Sequence, residues 1–272
     1  MDFIIQCGDL CHNAPTATEI QDIYVNNKYK IPALSCLGNH EVEDAESVES
    51  VCKAYNMPNN YMYVDINNFR IIILDTNHFI DDDGSFLHNQ PYSHRAPNGD
   101  RVGEEQLKWL EETINSTDNT CMIFSHASFV DDGHSPDTNN VREIIRRANG
   151  KKKGKVMLCC SGHHHTNGID TVENVVFFDV NATVNVFWSS TENPLWPEEF
   201  KDSARMTKNC CFSKDPLSAI VTVCDDGNIT ISGCESEYLY GISPEMYHPD
   251  TANRFGRKPC TKIDSAEIKL DM

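Results

Sequence analysis

Four short apolar runs in this chain each stop at a polar group that a buried strand has no use for. "DFIIQC" (2–7) runs into Gly8-Asp9, and "PALSCL" (32–37) into Gly38-Asn39-His40-Glu41. "CMIFS" (121–125) runs into His126, and "KVMLCCSG" (155–162) into His163-His164-His165. Runs of this length and composition read as buried strands. Between the first two lies "TATEIQDIYVNNKY" (16–29), with Ile20, Ile23 and Tyr24 at helical spacing, and after the second "DAESVESVCKAY" (44–55), another helix candidate. Strand, helix, strand, helix in this order predicts an α/β fold. In open sheets of that class, ligands bind beyond the carboxyl ends of the strands.

The remaining segments fill in the architecture. "YMYVDI" (61–66) and "FRIIILD" (69–75) read as a hairpin joined by Asn67-Asn68, and residues 76–102 as a polar surface insertion. "GEEQLKWLEETI" (103–114) and "VREIIRRA" (141–148) are amphipathic helices, the latter with Val141, Ile144, Ile145 and Ala148 on one face. From residue 174 onward the apolar runs are strand-like, with a long irregular stretch over 189–216. A domain over 1–234 is expected, with 235–272 a polar extension packed on it or trailing from it.

Bulk properties exclude some functions. The formal net charge of −18 repels a phosphate backbone, so duplex nucleic acid is not an expected partner. No apolar run is long enough to span a bilayer, and the start "MDFIIQCGDL" lacks the charge and length of a signal peptide. A cytoplasmic location without membrane association is therefore expected. The 12 cysteines are scattered without a single CxxC, so they read as buried reduced thiols. Oligomeric state leaves no mark on the sequence.

The strand-end residues form a constellation of imidazole, amide and carboxylate, with no thiolate. That donor set suits divalent Mn, Fe or Zn. Gly8, Gly38 and Gly162 stand just before three of the four polar groups, where a residue without Cβ lets the backbone turn and approach a ligand. Taken singly, each group is a turn or a satisfied histidine; four together point to one site. If the strand continues through the histidine triplet, His163 and His165 face one side and His164 the other. Two further candidates are weaker. "KKKGK" (151–155) reads as a solvated turn before it reads as a phosphate contact, and Ser125 and Ser128 beside His126 lack a G-x-S-x-G elbow.

In order, Gly8-Asp9, Gly38-Asn39-His40-Glu41, Ser125-His126 and Gly162-His163-His164-His165 resemble the calcineurin-like metallophosphoesterase family over roughly residues 2 to 233. The "GEEQLKWLEETI" stretch is similar to the branch of class III cyclic nucleotide phosphodiesterases and purple-acid-phosphatase-like enzymes. The resemblance implies a four-layer, two-sheet sandwich flanked by helices, with two divalent transition metals at one edge. It implies Asp9 as the bridging carboxylate, with Asn39, His126 and His163 completing one metal and His165 binding the other. His40 becomes the acid at the leaving oxygen. The implied reaction is attack of a metal-bound hydroxide on a phosphomonoester or phosphodiester of a small phosphorylated substrate.

One element of the family pattern is missing: no Asp-x-His precedes Gly8-Asp9. The sole Asp-x-His, Asp132-Gly133-His134, falls after His126. A truncated or altered chain holding one metal, with weakened activity, is the expectation that follows. The alternative function is a non-catalytic, metal-binding remnant of the family.

Overall fold

Adjacent buried strands of β-branched and aromatic residues build the central sheet. The structure, a computed structural model, describes residues 1–43, 45–88, 99–130, 135–189, 191–198, 208–248 and 256–272. Two compact units divide the chain: residues 1–163 with 170–178 and 270–272, and residues 164–169 with 179–269.

In the first unit, β1 (Ile4–Gln6) pairs in parallel with β2 (Ala33–Ser35). The segment between them holds α1 (Thr18–Ile20), which continues as a π-helical turn over Gln21–Val25. This is shorter than the helix expected over 16–29. Thr18, Ile20, Ile23 and Val25 are β-branched and weak helix formers. The Tyr24 hydroxyl instead donates to the Leu34 carbonyl at 2.5 Å. α2 (Asn39–Val42) follows β2, and α3 (Val48–Ala54) occupies part of the second expected helix.

β3 (Met62–Ile66) and β4 (Phe69–Ile73) form the expected antiparallel hairpin. β5 (His78–Ile80) and β6 (Phe86–His88) then pair antiparallel. They lie in the stretch that reads as a surface insertion, yet Thr76, Asn77, Phe79 and Val102 are buried. Polar side chains are accommodated there because they hydrogen-bond, as Asn77 Nδ2 does to the Leu37 carbonyl at 2.8 Å.

α4 (Glu104–Asn115), β7 (Thr120–Phe124), α5 (Thr138–Lys151), β8 (Val156–Ser161), β9 (Gly168–Val172) and β10 (Val175–Asp179) complete a mixed six-stranded sheet of order β3-β4-β7-β8-β10-β9. β4, β7 and β8 run parallel. Alternate residues Ile72 and Leu74, and Cys121 and Ile123, pack with Leu110 and Ile114 of α4 and with Val141, Ile144, Ile145 and Ala148 of α5. The other parity of β7 faces away, where Phe124 meets Phe3 edge-on at 6.3 Å between ring centroids. The result is the α/β fold expected from the sequence, a central sheet flanked by helices. Two lysines of "KKKGK" are tied to loop groups, Lys155 Nζ to the Thr117 and Asn119 carbonyls and Lys152 Nζ to that of Asp118.

The second unit holds β11 (Asn185–Trp188) paired with β12 (Cys210–Phe212), and an antiparallel sheet of β13 (Ile220–Val223), β14 (Asn228–Ser232) and β15 (Ala266–Lys269). Ile229 and Ile231 of β14 are buried while their neighbours are exposed, the alternation of a sheet covered on one face. All 12 cysteines are free thiols. Among the described residues no helix is long and apolar enough to cross a membrane.

Candidate metal centre

β1 and β2 are parallel neighbours, as are β7 and β8, so each pair delivers its carboxyl ends side by side. The chain leaves β1 through Gly8, at φ +93°, and a Cβ on this residue would overlap the His126 ring. Gly38 is equally close to Asp9. Glycine at both positions is what lets the first two strand ends close on the histidine of the third. Asp9 itself holds a left-handed φ of 60°, an uncommon conformation for a residue with a side chain.

Four of the expected ligands meet around His126. Its Nε2 lies 3.2 Å from Asp9 Oδ2, 3.2 Å from Asn39 Oδ1 and 2.9 Å from His163 Nδ1. On the other side of the ring, Nδ1 is 2.8 Å from the Cys7 carbonyl oxygen. A carbonyl can only accept, so the Nδ1 proton points there and the Nε2 lone pair of neutral His126 points at the cluster. Carboxylate, amide oxygen and imidazole nitrogen thus turn lone pairs toward one another in a buried space. One proton satisfies a single one of these three contacts, whereas one divalent cation engages all four donor atoms. A backbone carbonyl fixing the tautomer from behind is also the usual support of a metal-bound histidine. The residues fit an N/O-ligated divalent ion.

The charges respond as such a cluster must. Burial works against the Asp9 carboxylate, but His126 beside it, with His40 and His163, holds it far below the usual carboxylate range. Burial likewise opposes the imidazolium of His126, and Asp9 overrides it to raise His126 to about 9. Burial, together with the Asp9 charge, pushes Glu41 up to about 7. In the metal-free chain His126 and Glu41 both bind protons more tightly folded than unfolded. Their stabilising contribution is complete below the unfolded values and is lost as pH rises through the folded ones. Between pH 6.5 and 9 metal-free protein is expected to lose about 3 kcal/mol through His126. Added Mn²⁺ or Zn²⁺ should reverse the slope, because a ligating imidazole must be neutral. Denaturant midpoints measured across this pH range with chelator and with metal check both signs.

Residues 1–167 match the calcineurin-like phosphoesterase family. The chain belongs to that family. Among solved structures, a dimetal phosphatase from Danio rerio aligns over 100% of this chain and 84% of its own, with 14% identity and a TM-score of 0.56. GAP50, the anchor in the inner membrane complex of Plasmodium, aligns over 100% and 79%, with 10% identity and a TM-score of 0.53. At these identities the likeness is one of fold. Among curated proteins none matches the sequence.

In this calcineurin-like phosphoesterase the histidine triplet departs from the alternation expected of a continuing strand. β8 ends at Ser161, and His163 and His165 have left-handed φ of 68° and 51°. Such residues break the pleat, so which way each ring points is set by the turn and not by parity. His163 joins Asp9 and His126, whereas His165 belongs to the second unit and to none of the converging donor groups among the described residues. Asp132-Gly133-His134 lies outside the described residues. Ser125 gives its hydroxyl proton to the Ala127 carbonyl at 2.7 Å, an ordinary turn contact.

Further polar residues surround the cluster. Glu41, fully buried, accepts from the backbone N–H of Gly38, Asp9 and Leu10 at 2.9, 2.7 and 2.6 Å and thereby holds the Asp9 turn. His40 donates its backbone N–H to Asp9 Oδ1 at 2.9 Å, and its ring Nδ1 lies 3.0 Å from Glu43 Oε2. Asp100 Oδ2 stands 3.6 Å from His163 Nε2. Glu41 had a local signal, an acid three residues after the glycine that opens a short helix. Glu43 and Asp100 had none.

Proposed function

We propose that this metallophosphoesterase hydrolyses a phosphomonoester or phosphodiester of a small phosphorylated substrate at the strand-end cluster. The observation that carries the reading is the convergence of Asp9, Asn39 and His163 on His126 Nε2. Held by Asp9, Asn39, His126 and His163, a divalent ion would supply a Lewis acid for a phosphoryl oxygen and lower the pKa of bound water toward neutrality. Asp9 supplies the anionic ligand, oriented through its other oxygen by the His40 amide. Asn39 adds a neutral oxygen, which limits the charge placed against the substrate.

His40 divides its two functions between backbone and ring. The amide holds Asp9, while Glu43 fixes the ring through Nδ1, leaving Nε2 as the nitrogen that would carry a proton to the leaving oxygen. Removing the ring keeps the amide. His40→Ala is therefore expected to retain its metal and to lose turnover by about 10²–10⁴-fold on alkyl esters, with a smaller loss on p-nitrophenyl esters, whose leaving group needs no proton. Equal losses on both substrates would count against the acid role.

The function is tested by assaying the purified chain with Mn²⁺, Fe²⁺ or Zn²⁺ on p-nitrophenyl phosphate, bis-p-nitrophenyl phosphate and cyclic nucleotides. Metal-dependent hydrolysis that disappears in His163→Ala supports the proposal. Metal bound at this centre without turnover of any of these esters would instead indicate a binding protein.

A further inference from the structure

A second group of metal-ligating side chains lies in the first unit, apart from the cluster at Asp9. Asp75, His78 and His88 each offer one ligand atom, and these atoms lie within 4.8 Å of one another. Asp75 sits just beyond the end of β4 and is fully buried. His78 and His88 are direct cross-strand partners in the β5–β6 hairpin. In an antiparallel pair such partners share a face of the ribbon, with Cβ atoms about 5 Å apart, so the register brings both imidazoles together.

The carboxylate is oriented as metal-ligating carboxylates are. Asn77 donates to Asp75 Oδ1 from its backbone N at 2.9 Å and from Nδ2 at 2.8 Å. Asn60 Nδ2 donates to Oδ2 at 2.6 Å, and His88 Nε2 lies 2.5 Å from the same oxygen. An Asp–His ion pair accounts for that last contact alone. It does not account for His78, whose ring stands at 89° to that of His88 with centroids 4.6 Å apart. Nor does it account for the Nδ1 atoms of both histidines, which are buried without a hydrogen-bond partner. Buried imidazole nitrogens without partners are costly, and an ion shared with the Asp75 carboxylate would engage one nitrogen of each ring.

We propose that Asp75, His78 and His88 form a second metal site, taking a zinc-class divalent ion that fastens the β5–β6 hairpin to the end of β4. Two imidazoles and one carboxylate are a borderline donor set that favours Zn²⁺ over Mg²⁺ or Ca²⁺. Ligand atoms about 2.0–2.2 Å from a tetrahedral ion are about 3.3 Å apart, so small side-chain rotations bring the three into place. Asn60, which donates to Asp75, also lines a cavity of about 370 Å³ with Glu49, Cys52 and Asn59. On its far side Asn77 reaches the Leu37 carbonyl, beside Gly38-Asn39, so the fastened hairpin braces the turn that carries Asn39.

Metal stoichiometry tests the proposal without recourse to activity. In a His126→Ala/His163→Ala chain, Co²⁺ titration should give one bound equivalent with visible ligand-field absorption. Adding His78→Ala or His88→Ala should abolish it. No absorption in the first chain, or absorption that survives both additions, would overturn the site. Should these variants misfold, the unaltered protein gives the answer. Zn²⁺ alone should protect His78 and His88 from diethyl pyrocarbonate, read by peptide mass spectrometry. Modification at both positions that is the same with Zn²⁺ as with chelator would refute the proposal.

Discussion

With asparagine in place of Asp9, the chain is expected to lose metal affinity by more than about 100-fold, since outer-shell losses alone cost about 10–100-fold. Turnover should fall by at least about 10²–10³-fold, the cost of removing one preorganised electrostatic partner. The substitution keeps the shape of the side chain and removes only its charge. Asp9 Oδ1 would still accept from the His40 amide, so the turn should persist and the loss should be one of charge rather than of fold. The same variant tests the electrostatics independently of catalysis. Asp9 is what raises His126 to about 9 against the effect of burial, so without it the metal-free chain should lose most of its stability change between pH 6.5 and 9. Competition with a chromogenic chelator measures the affinity, and denaturant titration the slope. Unchanged affinity together with an unchanged slope would mean that Asp9 is not at the centre of the cluster.

The parts of this molecule that were legible in the sequence are those fixed by local pattern. Ile71 to Leu74, Cys121 to Phe124 and Val156 to Cys160 are continuous apolar runs because parallel strands covered on both faces need them. Val141, Ile144, Ile145 and Ala148 recur at helical spacing because α5 buries one stripe. Asp9, Asn39, His126 and His163 stood out because a polar residue at the end of such a run has no packing role. What escaped depends on contacts between distant segments. Glu41 reads as an acid in a short helix until Asp9 and Leu10, about thirty residues earlier, turn their amides toward it. His78 and His88 look unrelated in a polar stretch, because hairpin register is not written in a segment without clear alternation. The histidine triplet misled in the opposite sense: it extends an apolar run, but left-handed backbone at His163 and His165 ends the strand and cancels the parity argument.

Glu41→Ala is expected to be the most destabilising single change near the centre. The two carboxylate oxygens of Glu41 take the N–H groups of Gly38, Asp9 and Leu10, and the Tyr55 hydroxyl at 3.2 Å. Removing them leaves three backbone donors without an acceptor in a buried turn, each unmet bond costing about 1–3 kcal/mol. Water entering the vacated volume offsets part of this, so a net loss of about 3–6 kcal/mol is expected. Against a total stability of about 5–15 kcal/mol, that is enough to leave the variant partly unfolded at physiological temperature. Asp9 depends on the same contacts, because its left-handed backbone is held by the carboxylate that binds its own N–H and the next. Metal affinity should therefore fall along with stability, although Glu41 is not proposed as a ligand. Glu41→Gln separates the two contributions: it keeps one acceptor oxygen and turns an NH₂ group toward donors, so its loss should lie between wild type and alanine. The comparison belongs at pH 8 with metal present, where Glu41, pushed up to about 7, is ionised. A Glu41→Ala chain with wild-type denaturant midpoint and wild-type metal affinity would show that the Asp9 turn holds its shape without this carboxylate.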